Sequence, residues 1–442
     1  MPGNSRYLKP LLIVLALSIV LRAFLLHPTF SDESFYFNAA KSVAGGKIPY
    51  VDFFFAHPPL QLYSLAFVYE ILGSSFFTGK FLTLLYSSTS AALIYFITKN
   101  ICEEKYAFLT SVLFLVIPPF VAFSHISSGM WEPMALLLLS TLLIFRKRPF
   151  LSAVAFSVAV LFRYIAVLYL PLLLVILHLR NERIRGFLLV VAGLLAVSIA
   201  TAWLAFGQNY IEQTLFYHLS KVSTDYQTQY LSMGMFPAFL AAASALIGFF
   251  RKDKLMMAFS LMPLAADALL LVLLKTAFYH YFLLSVPFYL IAFSRVLRLE
   301  YKFLKLSAVA FLAISLATNF NTLDFYLNPA HAEKFYYIAD FTRANTAEND
   351  TIFGEPVAAN YASLVTGRGI AGDYLDSYMQ HLAFEGNDAS IRVLGESRPK
   401  LFIDMNGYFT SVSQFENFVS GNYVPAAEIE GAPSYLIYRI KP

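Results

Sequence analysis

Apolar stretches of helical length follow one another along most of this chain, and that succession leaves few folds open. They run roughly over 8–26, 60–72, 76–98, 106–123, 131–145, 150–179, 186–206, 233–250, 255–274, 276–294 and 304–320. A membrane span takes about 20 residues, fewer where the bilayer is thin or the helix is broken. Backbone groups in lipid must be paired within the chain, so helices are the default. Of the 442 residues, 58% are hydrophobic and only 14% charged. Soluble globular domains carry about a quarter charged residues, so an ordinary soluble enzyme is excluded. The single cysteine, Cys102, excludes an internal disulfide framework and any cysteine-based metal cluster. No small-residue cleavage site follows residues 11–26, and the first stretch is expected to be a span rather than a removed leader.

Short basic loops set the expected topology. Clusters stand at Arg6/Lys9, Lys99/Lys105, Arg146–Lys147–Arg148, Arg180/Arg183/Arg185, Arg251/Lys252/Lys254 and Arg295/Arg298/Lys302/Lys305. The positive-inside rule places all six in the cytoplasm. Loops 146–148 and 180–185 then lie on one side, so residues 149–179 cross twice, as two short helices meeting near Arg163. The stretch 60–72 follows Pro58-Pro59, ends at Gly73 and is short for a span. It is expected to lie along the outer surface. The count is about 11 transmembrane helices, with the N-terminus cytoplasmic and residue 325 onward extracytoplasmic.

The domains expected are thus residues 1–324, an all-α polytopic membrane domain with external loops 27–75 and 207–232, and residues 325–442, a small external α/β domain. Charge separates them: residues 1–324 hold 24 Lys or Arg against 14 acids, residues 325–442 hold 8 against 14. In the tail, 333–347 and 374–384 read as helices, and 351–353, 400–404 and 435–440 as strands. No glycine-rich nucleotide loop, metal-spaced His/Cys cluster or nucleophile elbow stands in it. In the first loop, residues 34–44 read as a helix that Ser31 is placed to cap, with Phe35, Ala39 and Val43 on a bilayer-facing stripe. Loop 207–232, rich in hydrogen-bonding groups, either covers a substrate or forms an ordered interfacial segment.

Chemistry gathers on the expected outer face. Asp32 and Glu33 are adjacent carboxylates at the membrane edge. A carboxylate within hydrogen-bond reach can take the proton of an attacking hydroxyl, while its neighbour orients a sugar or holds a metal. The plainer reading is two solvated loop acids at a helix start. Glu132, between Trp131 and Pro133, is an acid beside a span, where charge is costly and often functional. Its plainer reading is solvation at a helix end. Arg163 lies within an apolar run with nothing local to neutralise it; a lipid-linked phosphate would suit its guanidinium, and snorkelling to headgroups is the alternative. His57, Lys275 and His280 are further donors for a phosphate, each also readable as a plain hydrogen-bonding side chain. Asp267 sits deeper in its span, where pairing with a polar helix neighbour is the commoner outcome. A divalent metal ion is the one cofactor in question, and its ligands would come from Asp32, Glu33 or Glu132.

At Asp32-Glu33, His57-Pro58-Pro59-Leu60 and Glu132-Pro133, the chain resembles the membrane glycosyltransferases of the GT-C superfamily. Within it, the chain is similar to the branch of dolichyl-phosphate-mannose protein mannosyltransferases and the lipid A aminoarabinose transferase. The resemblance covers roughly residues 8–320. It implies a donor sugar on polyprenyl or dolichyl phosphate, and a protein, lipid or glycan acceptor from the extracytoplasmic side. Nucleic acid is not among the expected partners. It implies direct displacement with inversion at the anomeric carbon. By the same resemblance Asp32 is the base, Glu132 orients the acceptor, and His57, Arg163 and His280 approach the donor phosphate. Two positions depart from the pattern: His57 stands where members often carry lysine or arginine, and Ala56 where some carry a metal-ligating acid.

Two other readings remain. A transporter or flippase of lipid-linked sugars would show inverted repeats and helices broken near the midplane; no repeat is evident. A non-catalytic membrane scaffold leaves Arg163 and the first loop unexplained. The reading favoured is a lipid-phosphate-sugar-dependent glycosyltransferase in the plasma membrane of a prokaryote.

Overall fold

Prolines, glycines and one arginine decide where the helices of this chain break. The computed structural model describes residues 5–23, 25–221, 227–274, 279–299, 302–431 and 433–442. The chain is mostly helical with one small sheet. It divides into two units: Met1–Leu26 with Phe81–Ala202 and Ser223–Leu327, and His27–Lys80 with Trp203–Val222 and Asn328–Pro442.

Among the described residues, three helices are long and apolar enough to cross a membrane: Phe76–Lys99, Ile184–Phe206 and Lys254–Leu273. Ile184–Phe206 presents much of its apolar surface outward, with Leu189 at 74% and Val197 at 65% exposure. A contiguous apolar face of that kind on a folded chain calls for lipid or a partner. Shorter apolar helices include Trp131–Phe145, Pro149–Phe162, Tyr164–Leu179 and Val286–Leu297.

The breaks in the first unit have local causes. The apolar stretch 106–123 is two helices, Glu104–Val116 and Pro118–Phe123. Ile117 between them is extended, as a residue before proline prefers, and Pro118 opens the next helix at a position that needs no N–H. The helix Pro149–Phe162 ends at Arg163, whose backbone is extended at φ −149°, ψ 121°. A 3₁₀ turn, Tyr164–Tyr169, and the helix Leu170–Leu179 follow. The break expected near Arg163 is therefore at Arg163 itself. Helices Trp131–Phe145 and Pro149–Phe162 are tied by Ser140 and Ser152, whose hydroxyls each reach the other's carbonyl at 2.9 Å. Small polar residues let helices approach closely and satisfy one another where water is absent. Asp267 accepts hydrogen bonds from Ser285 Oγ and Tyr289 Oη, both at 2.6 Å, and Tyr169 Oη pairs with Ser285 Oγ at 2.7 Å. Pairing with polar helix neighbours is thus the state of Asp267.

The second unit holds the sheet. Its strands are β1 (Thr351–Gly354), β2 (Gly369–Ile370), β3 (Leu401–Met405), β4 (Tyr423–Ile429) and β5 (Tyr435–Ile440), in the order β2-β1-β3-β5-β4. β1 pairs in parallel with β2 and β3, while β5 runs antiparallel to β3 and β4. Gly354 closes β1 at φ +155°, and a Cβ there would sit 2.2 Å from the Ile403 carbonyl oxygen. The chain turns there into the helix Pro356–Thr366, capped by the Glu355 carboxylate. The helix Glu33–Ala44 packs against it. Asn38 Nδ2 donates to Asn360 Oδ1 at 2.9 Å and to Ser363 Oγ at 3.1 Å, and Lys47 pairs with Asp373.

Four local expectations change. The helix Glu33–Ala44 has Asp32, not Ser31, at its N-cap, without a side-chain cap bond; the Ser31 hydroxyl lies 3.1 Å from that of Thr29 instead. Phe35 and Ala39 of that helix are buried within the unit, not turned to lipid. The segment 374–384 is helical only from Met379, because Ser377 Oγ donates to the Gly354 carbonyl at 2.6 Å and holds the preceding residues against the sheet. Loop 207–232 is helical through Ser220, in three short turns; Val222–Tyr226 lie outside the described residues. The helix Leu60–Leu72 starts after Pro59 and stops at Gly73 (φ +81°). It buries Leu62, Leu65 and Tyr69 and exposes Phe67, Ile71 and Leu72.

Candidate active site

Asp32 and Glu33 are neighbours in sequence with opposite surroundings. Glu33 begins a helix, so its side chain turns about 100° from that of Asp32, and it is fully buried. Its Oε2 lies 2.7 Å from Lys80 Nζ, itself buried. Its Oε1 accepts from the Thr29 hydroxyl at 2.9 Å and the Thr29 amide at 3.2 Å. Asp32 is partly exposed, and its Oδ1 accepts the phenol proton of Tyr378.

Around Tyr378 stand three carboxylates of the same unit: Asp32, Glu355 and Asp376. Glu355 is buried. Burial pushes its carboxyl up to about 7, against the Ala358 and Val357 amides that stabilise its charge, and the charge of Asp32 adds to the rise. Its oxygens accept from Val357 N at 3.1 Å and Ala358 N at 2.8 Å. Burial also raises Asp376; the charges of His381 and Lys221 oppose that rise and Asp32 adds to it. Asp376 Oδ1 is buried with no hydrogen-bond partner among the described residues. Burial, with those acids around it, holds the Tyr378 phenol well above the usual range, so it keeps its proton and donates.

His57 belongs to this unit as well. Its ring stacks on His218, centroids 5.3 Å apart at 28°, and meets Phe55 edge-on at 5.7 Å. Its carbonyl accepts from Tyr50 Oη at 2.6 Å. His218 donates through Nε2 to the Ala56 carbonyl at 2.7 Å, and Gln213 Oε1 accepts from the Phe55 amide at 2.9 Å. The helical segment at 208–220 thus orders the backbone that precedes Pro58-Pro59.

Glu132 and Arg163 belong to the first unit. Glu132 is buried in the opening turn of Trp131–Phe145, where a carboxylate suits the helix dipole. Its Oε2 has no hydrogen-bond partner among the described residues. Arg163 is near enough for its charge to act on that carboxylate. The guanidinium is buried and donates from Nε to the Gly129 carbonyl at 3.2 Å and from Nη2 to the Ser128 carbonyl at 3.0 Å. Trp131 Nε1 secures the same loop by donating to the carbonyls of Phe123 and Ile126. Arg163 therefore holds the backbone that leads into Glu132. His280 lies in the 3₁₀ turn Tyr279–Leu284, edge-on to Tyr281 at 4.7 Å. Lys275 lies outside the described residues.

Two of the three acids in question for a metal are already engaged. Glu33 spends both oxygens on Lys80 and Thr29, and Asp32 commits one to Tyr378. No group of three or more His, Cys, Asp or Glu among the described residues is placed to hold an ion. Two partners at the site lie beyond the sequence reading. Lys80 carried a signal, a cation inside the apolar stretch 76–98; Tyr378, one of 28 tyrosines, carried none.

Residues 56–206 match the family model described as dolichyl-phosphate-mannose-protein mannosyltransferase. The segment includes His57, Glu132 and Arg163 and leaves out Asp32 and Glu33. No curated protein sequence matches the chain. Its fold is shared with ArnT from Cupriavidus metallidurans, solved bound to undecaprenyl phosphate: 11% identity, TM-score 0.68, covering 99% of this chain and 98% of that one. It is shared also with the oligosaccharyltransferase AglB from Archaeoglobus fulgidus, solved with an inhibitory peptide and a dolichol-phosphate: 12% identity, TM-score 0.54, covering 98% of this chain and 74% of that one. The chain is an integral membrane protein with the GT-C fold, and among GT-C membrane glycosyltransferases it resembles the branch of the protein mannosyltransferases and the lipid A aminoarabinose transferase.

Proposed function

We propose that this chain transfers a sugar from a polyprenyl- or dolichyl-phosphate donor to a protein, lipid or glycan acceptor on the extracytoplasmic face of the plasma membrane of a prokaryote. In this reading the N-terminus is cytoplasmic and about 11 spans form the catalytic domain, residues 1–324. Residues 325–442 form an extracytoplasmic domain. The basic loops support that orientation. The lipid phosphates bound by the two solved relatives support the donor class.

The observation that carries the reading is the division of labour between the paired acids. Glu33 is consumed by Lys80 and Thr29, which leaves Asp32, partly exposed, as the carboxylate able to work. Asp32 takes the proton of an acceptor hydroxyl as that oxygen attacks the anomeric carbon. The bond from that carbon to the phosphate oxygen breaks on the opposite face, and the lipid phosphate leaves with its electron pair. The sugar is inverted and the proton ends on Asp32. The leaving phosphate is a stable anion, so the step needs no strong acid. Glu132 orients the acceptor. His57, Arg163, Lys275 and His280 contribute positive charge or hydrogen bonds at the donor phosphate, with Arg163 acting also through the 128–129 backbone.

The test is transfer by the full chain in liposomes, offered a panel of dolichyl- and undecaprenyl-phosphate monosaccharides with membrane acceptors. Glycoside of inverted anomeric configuration, read by NMR, is the expected product. Retained configuration contradicts direct displacement. Movement of lipid-linked sugar across the bilayer without transfer favours a flippase instead.

A further inference from the structure

We propose that Tyr378 is a positioning residue for Asp32, its phenol O–H fixing one carboxylate oxygen so that the other is held for the acceptor hydroxyl. This rests on the reading of Asp32 as the base.

The two residues are 346 positions apart, yet Tyr378 donates directly to Asp32 Oδ1. The phenol comes from the segment just before the helix Met379–Glu385, and both flanks of that segment are pinned. Ser377 Oγ donates to the Gly354 carbonyl at 2.6 Å, and the Met379 amide donates to Tyr408 Oη at 2.8 Å. On the other side, Asp32 is held at the start of Glu33–Ala44, which packs on Pro356–Thr366 through Asn38. Donor and acceptor thus sit on backbone fixed by the sheet-bearing part of the chain, the arrangement that keeps a reacting group within tenths of an ångström of its working position.

The phenol also stands in an acidic setting. The charge of Asp32 acts on two buried acids, Glu355 and Asp376, and raises both. Lys221 lies near Asp376 and offsets part of that rise, while Glu33 is directed to Lys80. A phenol that cannot ionise among so many acids is a constant donor, and donation to a carboxylate favours its charged, basic form. On this account the C-terminal residues supply part of the catalytic apparatus, not only a cover or an acceptor-binding surface.

The test compares the full-length protein with Tyr378→Phe, Asp32→Asn and a variant bearing 3-fluorotyrosine at 378, a stronger donor of the same shape. Initial rates of sugar transfer are measured against pH. Carboxyl-band infrared titration is run in parallel, with the Asp32 band identified by its loss in Asp32→Asn. For Tyr378→Phe, kcat falls roughly 10- to 100-fold, the range set by a hydrogen bond to a charged group, with donor KM little changed. The acid limb of the profile and the Asp32 band move up by roughly one pH unit, and both move down with 3-fluorotyrosine. A merely structural tyrosine lowers the melting temperature of Tyr378→Phe and leaves the limb and the band in place; that result overturns the proposal. If the phenylalanine variant does not fold, the fluorinated one decides by the same two readouts. Asp32→Asn with wild-type transfer removes the reading of Asp32 as base, whereas an inactive Asp32→Asn beside an unmoved Tyr378→Phe removes only the role of Tyr378. If no donor offered is used, the infrared band alone decides, and an unmoved band overturns the proposal.

Discussion

One peptide bond separates a carboxylate buried in an ion pair from one that is partly exposed. Glu33 and Lys80 form a fully buried pair, and a buried pair stabilises little beyond what it costs to desolvate both charges. Removing one partner is a different matter. Lys80→Met leaves the Glu33 carboxylate buried without its ion-pair partner, and should destabilise the protein by about 3–5 kcal/mol. Adding Glu33→Leu to Lys80→Met should restore most of that loss, since apolar replacements of such pairs are often neutral. Melting of the two variants in detergent checks both outcomes; a double variant no more stable than the single would remove the ion pair as the cause. At this scale, the pair of acids was legible in the sequence. The partners of the two acids were not, because Lys80 and Tyr378 stand 47 and 346 positions away from the acids they engage.

Among the elements, the Pro356–Thr366 helix shows how a cap becomes a pH device. Glu355 caps its N-terminus through two amides while buried, and burial holds its carboxyl near 7, above the value of about 4.5 expected when unfolded. A raised carboxyl means the folded state binds the proton more tightly. The stability it contributes is complete below about pH 4.5 and is lost as pH rises through about 7. The whole effect is about 3 kcal/mol at most. Glu355→Gln should flatten the melting profile over that window; an unchanged profile would place the titration elsewhere. The signals for this helix were present in Pro356 at its first turn and Gly367 at its end, left-handed at φ +79°. Ser31 shows the opposite case. It is a good capping residue by type, but its hydroxyl is engaged with Thr29, and Asp32 takes the N-cap position. The break at Arg163 was legible because two basic loops on one side of a membrane force residues between them to turn back.

For the whole molecule, hydropathy carried the class of fold and the charge rule its expected orientation, because lipid imposes both on composition over long stretches. The arrangement of the second unit was less legible. It is assembled from His27–Lys80, Trp203–Val222 and Asn328–Pro442, segments no local periodicity joins. Asn38 with Asn360 and Phe54 stacked on His381 at 3.7 Å are contacts between such segments. The strand Tyr423–Ile429 is exposed along most of its length, so it lacks the buried run that marks a strand in sequence.

The most direct measurement is the rate of sugar transfer from lipid-phosphate donors by wild type, Asp32→Asn and Glu33→Gln, each confirmed as folded by its melting curve. The account predicts that Asp32→Asn loses transfer by about 10²–10⁴-fold, the scale of a positioned base, at wild-type stability. It predicts that Glu33→Gln loses stability first and retains transfer in whatever fraction remains folded. Wild-type transfer by a folded Asp32→Asn would contradict the assignment of Asp32 as the base.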